Sequence, residues 1–342
     1  LIRLLEQAMA TMRDVAVEAE VSVATVSACV SGRRFVSPAL KARVERAIAA
    51  LGYQPDGIAR SLRTGTTDLI GLVIPDITNP FFTEFVHGVE LMAKAYGYAT
   101  ILADSNYDVA AEAKMISLMR QQRVDGLILC PAGKRSDYRF NSWSRDIPVV
   151  IVDNAWDDTP FDTISLDNVV AGLKMTQHIL GQGHRDIAII AGPKGNHTSD
   201  ERLQGFERAM GSAQLALQPD FIRHGDFREA GGYREALALI DLKRRPSAIF
   251  VANNNMLIGV MRALHDRGLS APGDMSVASI DDFPWAGAFR PGLTTARQPV
   301  GEMAQHALRL LRKRAFEEAA SPREQIMLPA ELIIRESVAK KR

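Results

Sequence analysis

The chain has 342 residues, 46% hydrophobic and 24% charged, which suits two or three globular domains with real cores. No apolar run approaches the ~20 residues of a membrane span, and two cysteines, Cys29 and Cys130, are too few for a disulfide framework or a Cys-rich zinc site. The net charge of +1 is unevenly spread. Residues 1–67 hold nine Lys/Arg against six Asp/Glu, and the other 275 hold 32 against 34, which makes the N-terminal part the polyanion-facing end.

Residues 1–10, "LIRLLEQAMA", read as an extension before a natural start at Met9 or Met12, and their apolar stretch is too short for a secretory signal. The protein is therefore expected to be cytoplasmic. Thr11 and Asp14 have N-cap spacing for a first helix that turns Val15, Ala16 and Ala19 inward. Ser22 caps a second helix, where Val26, Cys29 and Val30 recur at i, i+3 and i+4. Between them stands Glu20, where an easy bend would use Gly. A third helix opens at Ser37-Pro38, ends before Gly52, and offers Leu40, Val44, Ala47, Ile48 and Leu51 to a core. Residues 11–55 thus form one small helical unit. Pro55 then turns the chain out of helix, Asp56 can cap a short helix "GIARSL", and "RTGTT" releases the chain, making 56–67 a linker.

From residue 68 onward the texture changes. "LIGLVIPD", "YATILAD", "DGLILCPA" and "IPVVIVDN" read as buried parallel strands separated by helical segments, and the pattern repeats in "RDIAIIAGP", "FIRHGD", "PSAIFVANN" and "MSVASIDDF". "EQIMLPA" and "ELIIRESV" close the chain. Two successive strand–helix sets predict an α/β fold of two Rossmann-like lobes over 68–342, with a ligand cleft at the carboxyl ends of the strands.

Laid end to end, "DVAVEAEVSVATVS", "VSPALKARVERAIAALGYQPDGIARSLRTGTT", "LIGLVIPDITNPFF", "QRVDGLIL", "LGQGHRDIAIIAGP", "RLQGF", "SIDDF" and "LTTARQP" resemble the LacI/GalR family of bacterial transcription regulators over nearly the whole chain. The resemblance implies an N-terminal helix-turn-helix headpiece, a hinge helix, and two lobes of periplasmic-binding-protein type. It also implies double-stranded operator DNA and a small-molecule effector as partners.

In a helix-turn-helix the second helix enters the major groove. Its first turn here is Val23, Ala24 and Thr25, with Ala28 one turn on. Val and Ala cannot donate or accept, but they pack on thymine methyl groups. Ser22, Thr25, Ser27 and Ser31 match phosphate-bonding positions, which set register without reading sequence. Arg34 matches a base-contacting arginine of some members, and Tyr53 completes the headpiece set. Leu62 matches the leucine that the family wedges into the minor groove, with Ala59 on the same face and Arg60 beside it. Glu20 puts a charge near phosphate, and Ala28 forgoes a polar contact. The alternative for 14–32 is a helical hairpin that never meets DNA.

For the cleft, Arg202 and Asp281 match the family's main polar contacts. A donor fork and a carboxylate suit vicinal hydroxyls, favouring a sugar or sugar derivative over a nucleobase. Phe82 and Phe227 match the flat walls, and Asn196 and Asn253 are further contacts. Asn254 stands where many members carry Asp. Asp282 beside Asp281 makes no acid–base pair, because neighbouring strand residues face opposite ways. No nucleophile–base set, Walker loop, dinucleotide fingerprint or metal motif is present, so no enzyme, cofactor or metal is expected. A two-fold operator implies a homodimer away from membranes. A sugar-transport solute-binding protein with the same lobes is the alternative, and it leaves the headpiece unexplained.

Overall fold

The structure, a computed structural model, describes residues 10–31, 35–53, 65–139, 147–317 and 322–341. The chain divides into two compact units, residues 1–67 and 68–342, each with its own core.

In the first unit, α1 (Met12–Glu18), α2 (Val23–Ser31) and α3 (Pro38–Leu51) start where capping chemistry puts them. The Asp14 amide donates to the Thr11 hydroxyl while the Thr11 amide donates back to the Asp14 carboxylate at 2.7 Å, a capping box. Ser22 accepts from the Thr25 amide at 3.1 Å, and Ser37 caps α3 ahead of Pro38. Gly52, at φ 59°, supplies the left-handed residue that ends α3. Val15, Ala16, Ala19, Val26, Val44 and Ala47 close the core. Leu51, expected in that core, is exposed, because a helix of 14 residues outreaches partners of 7 and 9.

The second unit holds two six-stranded sheets. The first contains β1 (Leu69–Ile74), β2 (Ala99–Asp104), β3 (Gly126–Leu129), β4 (Val149–Val152), β5 (Asp162–Leu166) and β11 (Gln325–Leu328), ordered β11-β5-β4-β3-β1-β2. The second contains β6 (Ile187–Ala191), β7 (Ile222–His224), β8 (Ala248–Val251), β9 (Ser276–Ile280), β10 (Thr294–Arg297) and β12 (Glu331–Ile333), ordered β12-β10-β9-β8-β6-β7. Position for position, the two orders are the same. All pairings are parallel except β12, which runs antiparallel to β10.

Helices cover both faces of each sheet, as a parallel sheet requires. In the first lobe, α4 (Pro80–Ala95) and α10 (Val300–Arg312) pack on Leu72, Ile74 and Ile128, while α5 (Val109–Gln121) packs on Val73, Leu127 and Leu129. In the second, α8 (Glu229–Ile240) and α9 (Asn254–Asp266) cover Ile190, Ile249 and Val251, while α6 (Asn168–Gly181) and α7 (His197–Ser212) cover Ile187, Ile189 and Phe250.

Three expectations change. β2 is an edge strand, not a buried one, and leaves Leu102 41% exposed. β5 and β10 were not anticipated. The two sets are also not simply successive. The chain passes from the first sheet to the second after β5, returns after β10 to build α10, and crosses again between β11 and β12.

Candidate functional site

The first turn of α2 presents Ser22, Val23 and Ala24 to solvent, with Thr25, Ser27 and Ala28 half-buried behind them. Small apolar side chains therefore stand where a groove-reading helix meets base edges. Ser22 and Thr25 hydroxyls lie 2.9 Å apart, so part of their bonding capacity serves the helix start itself. Tyr53 is only 7% exposed, and its ring belongs to the core of the unit. The Ser31 side chain, Arg34, Ala59, Arg60 and Leu62 lie outside the described residues.

Glu20 sits at φ 49°, the left-handed conformation expected of the turn. Its charge has a partner, however. Arg43 Nη2 donates to the Glu20 carboxylate at 3.0 Å, to the Glu20 carbonyl at 3.2 Å and to the Ala19 carbonyl at 2.6 Å. The turn is thus tied to α3, and the carboxylate is partly neutralised without DNA.

The second site lies between the two lobes. A cleft with about 370 Å³ of open space is lined by Phe82, Asn196, Arg202, Phe227, Asn253 and Asp281, the six residues singled out in the sequence. Five of the six come from the second lobe. The first lobe adds Asn79, Phe81, Tyr107, Pro131, Asp153 and Asn154, and Thr198 and Gln298 complete the wall.

Equal strand orders place these additions at matching positions. Asn79 and Asn196 each stand five residues beyond β1 and β6. Tyr107 and Phe227 stand three beyond β2 and β7, Pro131 and Asn253 two beyond β3 and β8, and Asp153 and Asp281 one beyond β4 and β9. Two of these pairs carry left-handed backbone in both members: Tyr107 at φ 59° and Phe227 at 64°, Asp153 and Asp281 both at 70°. Such strain in non-glycine residues, each costing of order 1–3 kcal/mol, gathers where side chains must be aimed at a ligand.

Arg202 anchors the electrostatics. It is 2% exposed, its Nε donates to Asn168 Oδ1 at 2.8 Å and its Nη1 to the Ala252 carbonyl at 2.6 Å, leaving Asp281 Oδ2 at 3.7 Å. Asp281 accepts from Gln298 Nε2 at 2.6 Å. Burial raises its pKa, while Arg202 and Gln298 pull the other way. Asp153, facing the same pair from the first lobe, is pushed up to about 7 by burial and by Asp281, with Arg202 opposing. Two buried polar atoms on the wall, Thr198 Oγ1 and Gln298 Oε1, have no hydrogen-bond partner among the described residues. Unpaired buried polar atoms cost free energy unless something fills the space, so the wall is unfinished as it stands.

Asp282 faces away. Burial works against its charge, but bonds from Arg335, Thr295 and Arg297 hold its pKa down to about 2, so it forms no couple with Asp281. Among the described residues no three His, Cys, Asp or Glu side chains are grouped to hold a metal ion, and no helix is long and apolar enough to cross a membrane.

Among the described residues, polar contacts from three pairs join the lobes around the cleft. Asn254 Nδ2 donates to Asn79 Oδ1 at 3.2 Å, the His197 amide donates to Asn154 Oδ1 at 3.2 Å, and Arg228 Nη2 reaches Asn106 Oδ1 at 2.7 Å. Asn79 Oδ1 also caps α4 through the Phe81 amide, so it is fixed as an acceptor. Asn254→Asp replaces the donor with a second acceptor. It is expected to destabilise the closed lobes by about 1–3 kcal/mol, read as a lower unfolding midpoint. An unchanged midpoint would mean that the bond does not form in solution.

Comparison with known proteins places these features. Residues 11–56 match the family "Bacterial regulatory proteins, lacI family", and residues 176–338 match a periplasmic binding protein-like domain. The HTH-type transcriptional repressor PurR of Histophilus somni (strain 129Pt) is 34% identical over 331 residues, covering 96% of this chain and 99% of the relative. The ribose operon repressor of Escherichia coli (strain K12) is 36% identical over 304 residues, covering 89% and 92%. Among solved structures, a lac repressor dimer bound to operator and the anti-inducer ONPF superposes with a TM-score of 0.86 at 27% identity over 96% of this chain and 99% of its own. A LacI family transcriptional regulator from Enterococcus faecium with bound ribose gives 0.70 at 27% identity over 80% and 100%. With relatives this similar over almost its whole length, the chain belongs to the lacI family of bacterial regulatory proteins.

Proposed function

We propose that this chain is a cytoplasmic, non-catalytic repressor that binds a near-palindromic operator as a homodimer and is switched by a small polyhydroxylated effector in the interlobe cleft. The observation that carries the reading is the unfinished cleft wall: Thr198 Oγ1 and Gln298 Oε1 without partners, beside the Arg202–Asp281 pair and the flat rings of Phe82 and Phe227. Hydroxyls satisfy both the donor fork and the carboxylate, and the rings suit the C–H face of a sugar. The ribose operon repressor and the ribose-bound regulator among its relatives support a sugar over a nucleobase.

The homodimer is supported by the lac repressor structure, described as a dimer on its operator, and by the two-fold logic of half-sites. Leu91 and Leu102, exposed on α4 and β2, are apolar surface available to a subunit contact. Effector and operator are coupled through the populations of two lobe arrangements. The effector moves that equilibrium only by its difference in affinity for them. Its direction, release or capture of DNA, follows from which arrangement it prefers.

The test is selection of bound sequences from random DNA at low and at physiological salt. A recovered palindrome means that the Val23–Ala24 turn reads sequence. Recovery of no motif, with binding that collapses steeply as salt rises, means that only phosphates are held, and the repressor reading falls. Leu62→Ala is expected to weaken binding to the recovered operator while sparing effector binding, since the wedge proposed for Leu62 acts on the DNA alone. Equal operator affinity would remove Leu62 from the interface.

A further inference from the structure

The charges lining the cleft do not balance. Two acidic side chains, Asp153 and Asp281, face one cation, Arg202, and among the described residues no lysine or second arginine lines the wall. Arg202 is itself partly committed, with Nε on Asn168 and Nη1 on the Ala252 carbonyl, which leaves its remaining N–H groups for a ligand. Asp281 has a donor in Gln298. The Asp153 carboxylate has no hydrogen-bond donor among the described residues, although it keeps some exposure into the cleft. It is an acceptor without a donor, next to like charge.

Helix N-termini are the usual alternative source of positive potential. Three of them, those of α4, α7 and α9, open beside the cleft, and each already has an Asn side chain on one of its free amides. Asn79 accepts from the Phe81 amide, Asn196 from the Ser199 amide and Asn253 from the Met256 amide. Pro80, moreover, opens α4 with no N–H to offer. An anion entering this space would find capped helices, one partly committed guanidinium and two acidic side chains.

We propose, resting on the effector reading above, that the cleft takes an uncharged polyhydroxylated ligand and rejects the phosphate ester of the same sugar. In this proposal Asp153 is the residue that makes the choice. Its carboxyl group hydrogen-bonds hydroxyls of the neutral sugar, and once ionised, as at the pH 8 of the titrations below, it repels the ester. Specificity of this kind combines a new attraction with a built-in repulsion.

The test is calorimetric titration of the full chain at pH 8 with D-ribose, D-galactose, D-glucose and D-fructose, and with ribose 5-phosphate, galactose 1-phosphate, glucose 6-phosphate and fructose 6-phosphate. At least one neutral sugar is expected to bind, with its ester at least about 100-fold weaker, the scale of discrimination that unpaired polar groups supply. Asp153→Asn, which keeps the shape and one acceptor, is expected to weaken the neutral sugar by about 10-fold or more and to narrow the ratio to its ester by a similar factor. A melting curve establishes that the variant folds. Binding of an ester as tight as its sugar, an unchanged ratio in Asp153→Asn, or no binding by any neutral sugar overturns the proposal. Operator binding by the same preparation keeps the two readings apart. Loss of DNA binding with sugar binding intact counts against the repressor, and the reverse counts against the cleft assignment alone.

Discussion

Arg202→Ala is expected to abolish the effector response and to lower the stability of the two-lobed unit by about 3–5 kcal/mol, the scale for breaking a buried ion pair by removing one partner. From the sequence alone, loss of response with an intact fold would be expected. The structure gives this arginine a second duty. At 2% exposure it holds the Asn168 side chain and the Ala252 carbonyl, and among the described residues it is the only cation on the cleft wall facing Asp153 and Asp281. Its removal leaves two carboxylates and two acceptors in low dielectric. Denaturant titration of Arg202→Ala beside Arg202→Ala/Asp281→Asn separates the duties: the double variant is expected to recover part of the stability and none of the response. A single variant as stable as the parent would show that the guanidinium does no bracing.

A fall in the stability of the two-lobed unit between pH 5 and pH 8 is the second large effect. Burial pushes both Asp153 and Glu112 up to about 7; Glu112 is 1% exposed and takes bonds from the Ala132 amide and Tyr138, which only partly oppose the shift. Both groups are raised above their unfolded values of 3.8 and 4.5, so the folded chain keeps protons that the unfolded chain releases. Their contribution is fully present below those unfolded values and is lost as pH rises through about 7. At about 1.4 kcal/mol for each pH unit between the unfolded value and about 7, each is worth on the order of 4 kcal/mol. Asp282 acts in the opposite sense but only at lower pH: held down to about 2, it stabilises above the unfolded value of 3.8 and loses that contribution as pH falls toward 2. Urea midpoints at pH 5, 6, 7 and 8 should therefore decline. In Asp153→Asn/Glu112→Gln the decline should largely vanish, and parallel curves for parent and double variant would refute the assignment.

The architecture was legible because parallel strands buried on both faces are nearly uninterrupted apolar runs, as "LIGLVI" and "IAIIA" are. β5, "DTISL", escaped because its first residue is a carboxylate. Asp162 is buried at 2% only because Arg314, 152 positions away, donates to both its oxygens at 2.6 and 2.7 Å. No local pattern announces such a partner. β10, "TTAR", is short and polar for the same reason: Thr294 is held by the Ser337 hydroxyl and the Arg335 carbonyl from the chain's end.

The cleft was half legible. "RLQGF" and "SIDDF" pointed to Arg202 and Asp281, while Asp153, Tyr107 and Asn79 passed unnoticed in the first lobe. A signal for them existed in the spacing, since "VDN" follows β4 as "IDD" follows β9, and Asn79 follows β1 at the distance at which Asn196 follows β6. Reading one lobe against the other would have found them. Tyr53 lies in the headpiece core, because a unit this small needs a ring there and has few to choose from. The Glu20 turn was correctly read in conformation and misread in charge, since Arg43 is 23 residues away in sequence.

Three strands of chain run side by side between the lobes, at residue 167, at 298–299 and at 329–330, and the first and third are tied by the Asp167 amide donating to the Leu328 carbonyl at 2.8 Å. A single tether would let two bodies swivel in any direction. A triple one removes most of those directions and favours a swing about the line through the crossings. Gln298 lies on that line and also holds Asp281, so whatever fills the cleft leans on the pivot itself as well as on the lobes. In such a device the ligand has one favoured coordinate to move, and a small displacement at the axis is magnified with distance from it.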